Sequence, residues 1–191
     1  MATAWVDEFL TFFEENKMAI GTVMYAEGCR EGWLQGEMYR KSNDPAFTVN
    51  SYKLTKLNGK VDIYGEKPSH SHTKQKMVAE IKIVAPSFLS KNIDGNNEIE
   101  QYAENKVVKI TNTHLNNVNF EEGSILKDLA RLKSISDENI EKYMILVIPR
   151  YEECKINKPL EKALYSISLS DNVWEKKYEK EHFDIRVWLI K

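Results

Sequence analysis

The amino-acid sequence predicts an α/β fold in which helices flank a central mixed β-sheet. Apolar residues recur at helical spacing in separate segments, and an Asn-Gly pair, Asn58-Gly59, lies between two β-prone runs. A strand, a helix and a buried strand then follow one another between residues 77 and 148. The Asn-Gly pair predicts an antiparallel hairpin, and the strand-helix-strand order predicts a parallel crossover, so the sheet is expected to be mixed.

The predicted helices begin near the N-terminus. Apolar side chains recur at i, i+3, i+4 and i+7 in Val6, Phe9, Leu10 and Phe13. A second helix is predicted over Arg30–Lys41. It is expected to end before Pro45, because the residue preceding a proline disfavours the helical conformation. Ser124 can cap a third helix over 125–133, whose leucines mark one apolar face.

The predicted strands occupy residues 47–57, 60–65, 77–85, 143–148 and 182–191. The first two form the hairpin around Asn-Gly, and the polar stretch 66–76 is expected to be a loop. The run Tyr143–Ile148 is continuously apolar, which is typical of a strand buried on both faces.

The chain of 191 residues is long enough for one domain. We divide it into an N-terminal helical segment, 1–29, a core with the candidate motif, 30–149, and a C-terminal extension of the sheet, 150–191. The net charge of −2 gives no global sign of a nucleic-acid binder, although a local basic patch would suffice. Two distant cysteines, no signal-peptide pattern and no bilayer-length apolar run predict a cytoplasmic protein without membrane contact.

One predicted strand carries charged residues at positions where a core strand normally has apolar residues. In "MVAEIKIVA", Met77 to Ala85, one face is apolar throughout, whereas the other places Glu80 and Lys82 between Val78 and Val84. An ion pair on a half-exposed strand is the plainer explanation, and it would contribute little to stability.

Two further carboxylates stand in unexpected places. Asp62 lies inside the β-prone run "KVDIYG", although Asp is depleted in strands. Glu37 lies on the side of its helix that carries Trp33 and Leu34 and that should meet the core. A strand-end Asp and a surface Glu are the alternatives.

If the predicted strands 60–65 and 77–85 pair, Asp62 and Glu80 can converge on one metal ion, because adjacent strands lie about 4.8 Å apart. Clustered carboxylates suit a hard cation such as Mg²⁺, with Mn²⁺ as a substitute. Lys82 would orient or deprotonate the attacking water, or offset charge on a phosphate, and Glu37 could reach a metal-bound water.

Asp62 followed by Glu80-x-Lys82, in "VDIYG…AEIK", resembles the motif of the PD-(D/E)xK nuclease superfamily. The resemblance implies a restriction-endonuclease-like fold and metal-dependent hydrolysis of phosphodiester bonds, with DNA the expected substrate. It implies that Asp62 and Glu80 hold the metal, that Lys82 assists the water, and that Glu37 is the supporting helical acid. Val61 departs from the motif, which has Pro at this position.

Two other hypotheses stay open at this stage. The chain could be a catalytically silent nuclease-fold module that acts in binding or regulation, or an ordinary α/β interaction domain in which the motif is coincidental. The sequence also leaves open DNA or RNA as substrate, endonuclease or exonuclease action, and a homodimeric state.

Overall fold

The computed structural model describes residues 4–26, 28, 30–41, 47–49, 53–54, 59–68, 74–84, 124–150, 164–165, 167–168 and 173–191. Everything below concerns these residues. The predicted strand end at Ala85 and the predicted turn residue Asn58 lie outside them.

Four helices are described, and the three predicted from the sequence are among them: α1 Ala4–Glu15, α2 Lys17–Met24, α3 Arg30–Lys41 and α4 Ile125–Lys133. Helix α4 begins as predicted, because the Ser124 hydroxyl oxygen accepts a hydrogen bond from the Lys127 amide at 3.4 Å. Its Ile125, Leu126, Leu129 and Leu132 are buried.

The strands are β1 Phe47–Val49, β2 Lys53–Leu54, β3 Gly59–Lys60, β4 Ile63–Pro68, β5 Lys74–Ile83, β6 Ile140–Pro149, β7 Val173–Glu179 and β8 Phe183–Ile190. Strands β4 and β5 extend into the stretch that the sequence predicted to be a loop. Strand β7 was not predicted, because its sequence "VWEKKYE" is mostly charged and its side chains are mostly half-buried or exposed.

The main sheet is mixed, with six strands in the order β1-β4-β5-β6-β8-β7, and β2 and β3 form a small separate hairpin. Strands β5 and β6 pair in parallel across the α4 crossover, and the other pairs of the main sheet are antiparallel. The prediction of an α/β fold with a mixed sheet between helices is therefore confirmed.

Two apolar layers cover opposite faces of the sheet. Helices α1, α2 and α3 pack on one face, which we call the three-helix face, around large side chains such as Trp5, Phe9 and Phe13. Helix α4 packs on the other, the α4 face, together with Leu164, Ile167 and side chains from β6 and β8. Strand β5 lies in the interior of the sheet, and both of its faces are covered because its side chains enter both layers.

Candidate active site

Strand β5 delivers Glu80 and Lys82 to the α4 face. Its apolar alternates, such as Ile81 and Ile83, join the three-helix core, whereas Val78 and Val84 join the core under α4. The two charged residues stand between these valines and are nearly as buried, with Glu80 3% and Lys82 9% exposed. They are therefore buried charges, and the sequence-based alternative of a half-exposed ion pair does not describe them.

Asp62 meets this strand from its neighbour. The β4–β5 ladder ends at the pair Ile63 and Ala79, and Asp62 lies in a bend one residue beyond. Its Oδ2 accepts a hydrogen bond from the Ile81 amide at 2.7 Å, so the side chain replaces a main-chain acceptor of the ladder. This anchor places the carboxyl group of Asp62 close enough to Glu80 to raise the pKa of Glu80. The convergence that the sequence suggested for these two acids is thus present.

Helix α4 adds a third acid. Asp128 is 3% exposed, and its Oδ2 lies 3.5 Å from Lys82 Nζ. Because Ile125, Leu129 and Leu132 share its side of the helix, the packing that buries this apolar stripe also points Asp128 at the sheet.

Arg131, one helical turn later, joins three elements. Its Nη1 donates to Asp128 Oδ1 at 3.2 Å, and its Nη2 donates to the Lys60 carbonyl oxygen at 3.0 Å. The same Nη2 lies 3.4 Å from Glu80 Oε1. One guanidinium thus spans α4, the segment before Asp62, and β5.

Glu31 reaches the cluster from the three-helix side. It stands in the first turn of α3, and its Oε1 accepts a hydrogen bond from the Ile83 amide at 3.0 Å. The same oxygen lies 3.7 Å from Lys82 Nζ. An open pocket of about 270 Å³ adjoins this point and is lined by Gly28, Arg30, Glu31, Gly32 and Ile83.

Glu37 lies elsewhere, which revises the predicted site. Its two carboxylate oxygens accept hydrogen bonds from Arg40 Nε and Nη2, at 3.1 and 2.7 Å, on the outside of α3. The buried face of this helix consists of Leu34, Gln35 and Met38, which is rotated away from Glu37. Six residues and about 9 Å of helix separate Glu37 from Glu31. The acid of α3 that contacts Lys82 is therefore Glu31, and we leave Glu37 out of the site.

Burial and neighbouring charge set the protonation of the cluster. Desolvation, followed by the charges of Asp128 and Asp62, raises the pKa of Glu80 to about 9. Desolvation also raises the pKa of Asp128 to about 6, although Lys82 and Arg131 oppose this shift. Glu80 therefore holds a proton at neutral pH even with Arg131 nearby, unless a further cation binds to it.

Lys82 is held in its charged form. Burial alone would lower the pKa of its ammonium group, but the charges of Asp128, Glu31, Asp62 and Glu80 outweigh burial and raise it. A lysine that keeps its proton cannot act as a general base. The arrangement favours the electrostatic and orienting roles that the sequence suggested for Lys82 over deprotonation of water.

The donor set fits a divalent cation held by few protein ligands. Among the described residues, no group of three or more His, Cys, Asp and Glu side chains could hold a metal ion together. Mg²⁺ does not need one, because it usually takes one or two carboxylates and completes its shell with water and substrate phosphate.

Two features of this site favour the binding of a cation. Four carboxyl groups (Glu31, Asp62, Glu80 and Asp128) face the two cations Lys82 and Arg131, so two negative charges are in excess when all are ionised. Glu80 Oε1 is buried and has no hydrogen-bond partner within the described part of the chain. If the site holds a metal, Asp62 and Glu80 are the residues that would bind it.

Sequence reasoning missed Asp128, Arg131 and Glu31. The signal for Asp128 was available, since an acid within the apolar stripe of a helix is the same anomaly that drew attention to Glu37. Arg131 lies three residues after Asp128 on the same side of the helix, so the same signal would also have indicated it. Glu31 offered no signal, because an acid in the first turn of a helix is commonplace.

Comparison of the chain with protein-family models, with curated proteins and with solved structures yields no match. The resemblance to PD-(D/E)xK nucleases therefore rests on this chain's own residues and their arrangement. Within the part of the chain that the structure describes, none of the helices is both long and apolar enough to cross a lipid bilayer.

Proposed function

We propose that this protein is a metal-dependent nuclease that hydrolyses phosphodiester bonds in DNA. The observation that carries the proposal is the meeting of Asp62 and Glu80 across the end of the β4–β5 ladder, with Lys82 beside them on the same face of the sheet. Both carboxyl groups and the ammonium group come from fixed backbone positions on neighbouring strands. Such preorganisation is what a site for developing charge requires.

Each residue has a role that its surroundings support. Asp62 and Glu80 would hold Mg²⁺, or Mn²⁺ in its place, which polarises a phosphate oxygen and lowers the pKa of a bound water. Lys82, charged and bound to Asp128 on one side and Glu31 on the other, orients the attacking water and offsets charge on the phosphate. Glu31 and Asp128 position Lys82 by sharing its ammonium group.

The test is cleavage of supercoiled plasmid DNA with Mg²⁺ and then Mn²⁺. Wild-type protein should nick or linearise the plasmid, and Asp62→Ala and Lys82→Ala should abolish cleavage while the protein remains folded. Glu37→Ala is the matched control, since it removes an acid from the same polypeptide without touching the cluster. Absence of cleavage on both DNA and RNA, with Mg²⁺ and with Mn²⁺, would reject the proposal, and absence of metal binding as well would also reject the metal site.

A catalytically silent module is the second candidate, and one observation favours it. Arg131 already lies beside Glu80 and Asp128, so the cluster has internal counter-charges and can exist as a structural network. Under this hypothesis the wild-type protein cleaves nothing, and Lys82→Ala changes its stability alone. The plasmid assay and an unfolding curve of the same variant separate the two candidates.

A further inference from the structure

Arg131 lies within ion-pair range of Glu80 but does not complete the hydrogen bonding of its carboxyl group. Its Nη2 lies 3.4 Å from Glu80 Oε1, which is within ion-pair range, yet that oxygen is buried and makes no hydrogen bond to any residue that the structure describes. The same Nη2 directs its hydrogen bond to the Lys60 carbonyl oxygen instead. Glu80 therefore keeps a lone pair available beside a cation that is held in place by other groups.

The anchors of Arg131 do not depend on Glu80. Asp128 Oδ1 accepts from Nη1 at 3.2 Å, and the Lys60 carbonyl accepts from Nη2 at 3.0 Å. The guanidinium is always charged, and its side chain is 15% exposed. It can lose its contact with Glu80 and still remain at the edge of the site.

We propose that Arg131 is the resident counter-cation of Glu80 once this carboxyl group gives up its proton, and that a divalent cation must displace Arg131 from the carboxylate in order to bind. The inference rests on the proposed function only in naming a divalent cation as the ligand. Two cations that approach one carboxylate repel each other, so Arg131 lowers the affinity of the site for metal until the guanidinium turns away.

The displaced guanidinium gains a partner when nucleic acid is present. Its planar fork matches two phosphate oxygens, and Asp128 and Lys60 keep it beside Glu80. Metal displaces Arg131 from Glu80, and a backbone phosphate then takes up the guanidinium. The two ligands therefore bind cooperatively, and the protein is poised for metal only when its substrate is present.

The first experiment measures Mn²⁺ affinity by calorimetry, with no nucleic acid present. Arg131→Met keeps the bulk of the side chain and removes its charge, and it should bind Mn²⁺ about tenfold more tightly than the wild type. Arg131→Gln, which retains polar groups for Asp128 and Lys60, should do the same. Arg40→Met is the matched control, because Arg40 also pairs with an acid three residues earlier, and it should leave the affinity unchanged.

Unchanged or weaker Mn²⁺ binding in both Arg131 variants would overturn the inference. If the variants fail to fold, the wild type provides the answer through the guanidinium nitrogen resonances of ¹⁵N-labelled protein. One arginine should shift in proportion to bound Mg²⁺, and the absence of any such shift would overturn the inference equally.

The second experiment measures the affinity of a short DNA duplex by fluorescence anisotropy with and without Mn²⁺. A Lys82→Met background prevents turnover. Mn²⁺ should tighten DNA binding at least about fivefold, and adding Arg131→Met should abolish most of that coupling. Equal coupling with and without Arg131 would contradict the exchange.

The inference and the proposed function fail in different ways. A wild type that cleaves DNA, with Arg131 variants of unchanged metal affinity, overturns the inference and leaves the function standing. A wild type that binds Mn²⁺ weakly and cleaves nothing, with Arg131→Met binding tightly, supports the counter-cation and rejects the nuclease. Failure of both proteins to bind metal rejects both.

Discussion

The two faces of strand β5 are buried almost equally, yet they contribute to the protein in opposite ways. On the three-helix face, Ile81 and Ile83 pack among apolar side chains, and each buried side chain of this kind stabilises the fold by roughly 1.5–3 kcal/mol. On the α4 face, Glu80 and Lys82 lose their hydration on burial, and only interactions with charged neighbours compensate for this loss. Replacing a whole buried ion pair by hydrophobic residues is often neutral or stabilising, whereas removing only one partner is costly. The comparison teaches that Ile81 and Ile83 are explained by the stability they give the fold, whereas Glu80 and Lys82 are not; the proposed function would give these charges a purpose.

The largest expected effect tests that purpose. Lys82→Met removes the cation that Asp128 and Glu31 share, so it should lower the free energy of unfolding by about 3 kcal/mol. In the protein that remains folded, plasmid cleavage should fall by at least about 10²-fold. The measurement is the initial rate of nicking at saturating Mg²⁺. Cleavage at the wild-type rate would show that the charged face has no catalytic use.

The three-helix face should show the reverse behaviour. Ile145 of β6 pairs with Ile81 and is fully buried in the three-helix core. Ile145→Ala should lower the free energy of unfolding by about 2–4 kcal/mol through lost contacts and a residual cavity. Urea unfolding measures this loss, and Mn²⁺ affinity of the folded variant should match that of the wild type. A large change in metal affinity would mean that the two faces are coupled.

Glu80 makes metal-free stability depend on pH. Its pKa rises on folding from 4.5 to about 9, so between these values the folded state binds one more proton than the unfolded state. Stability is therefore present at low pH and is lost as pH rises toward 9, by at most about 1.4 kcal/mol per pH unit. The raised pKa of Asp128 acts in the same direction below about pH 6.

Glu80→Gln keeps the neutral form at every pH and should be more stable than the metal-free wild type by about 2 kcal/mol at pH 8. Thermal unfolding across this range with a chelator measures the effect. Added Mg²⁺ should restore the wild type and leave the variant unchanged. A wild type whose stability is constant or increases from pH 6 to pH 9 would contradict the assignment of the buried charge.

The smallest effect is expected outside both faces. Glu37→Ala removes an exposed ion pair with Arg40 and should change stability by less than about 0.5 kcal/mol, with no effect on cleavage. Asp128→Ala breaks the i, i+3 pair of the same geometry on α4 and leaves Lys82 and Arg131 without a shared acceptor. It should cost about 3 kcal/mol, measured by urea unfolding. Similar losses in the two variants would show that burial does not distinguish the pairs.

These two ion pairs also show how much of the fold and of the candidate site the sequence could predict. Local pattern was enough for α1, α3 and α4, for the strands β5, β6 and β8, and for the shared face of Glu80 and Lys82, because strand alternation fixes which residues share a face. It could not decide between Glu37 and Asp128. Both lie near the apolar side of a helix, and only the docking of each helix determines which acid turns inward. Glu31 required the same tertiary information, since its contacts with Ile83 and Lys82 span about fifty residues of chain.

The bond from the Ile81 amide to Asp62 gives the candidate site a built-in reporter. Ladder amides in an interior strand exchange with solvent deuterium slowly, because their acceptors are main-chain groups fixed by the sheet. The Ile81 amide instead depends on a side chain that would also bind metal. Its exchange rate, read beside that of the Ile83 amide bonded to Glu31, would follow the movement of Asp62 in a protein that carries no label and no substitution.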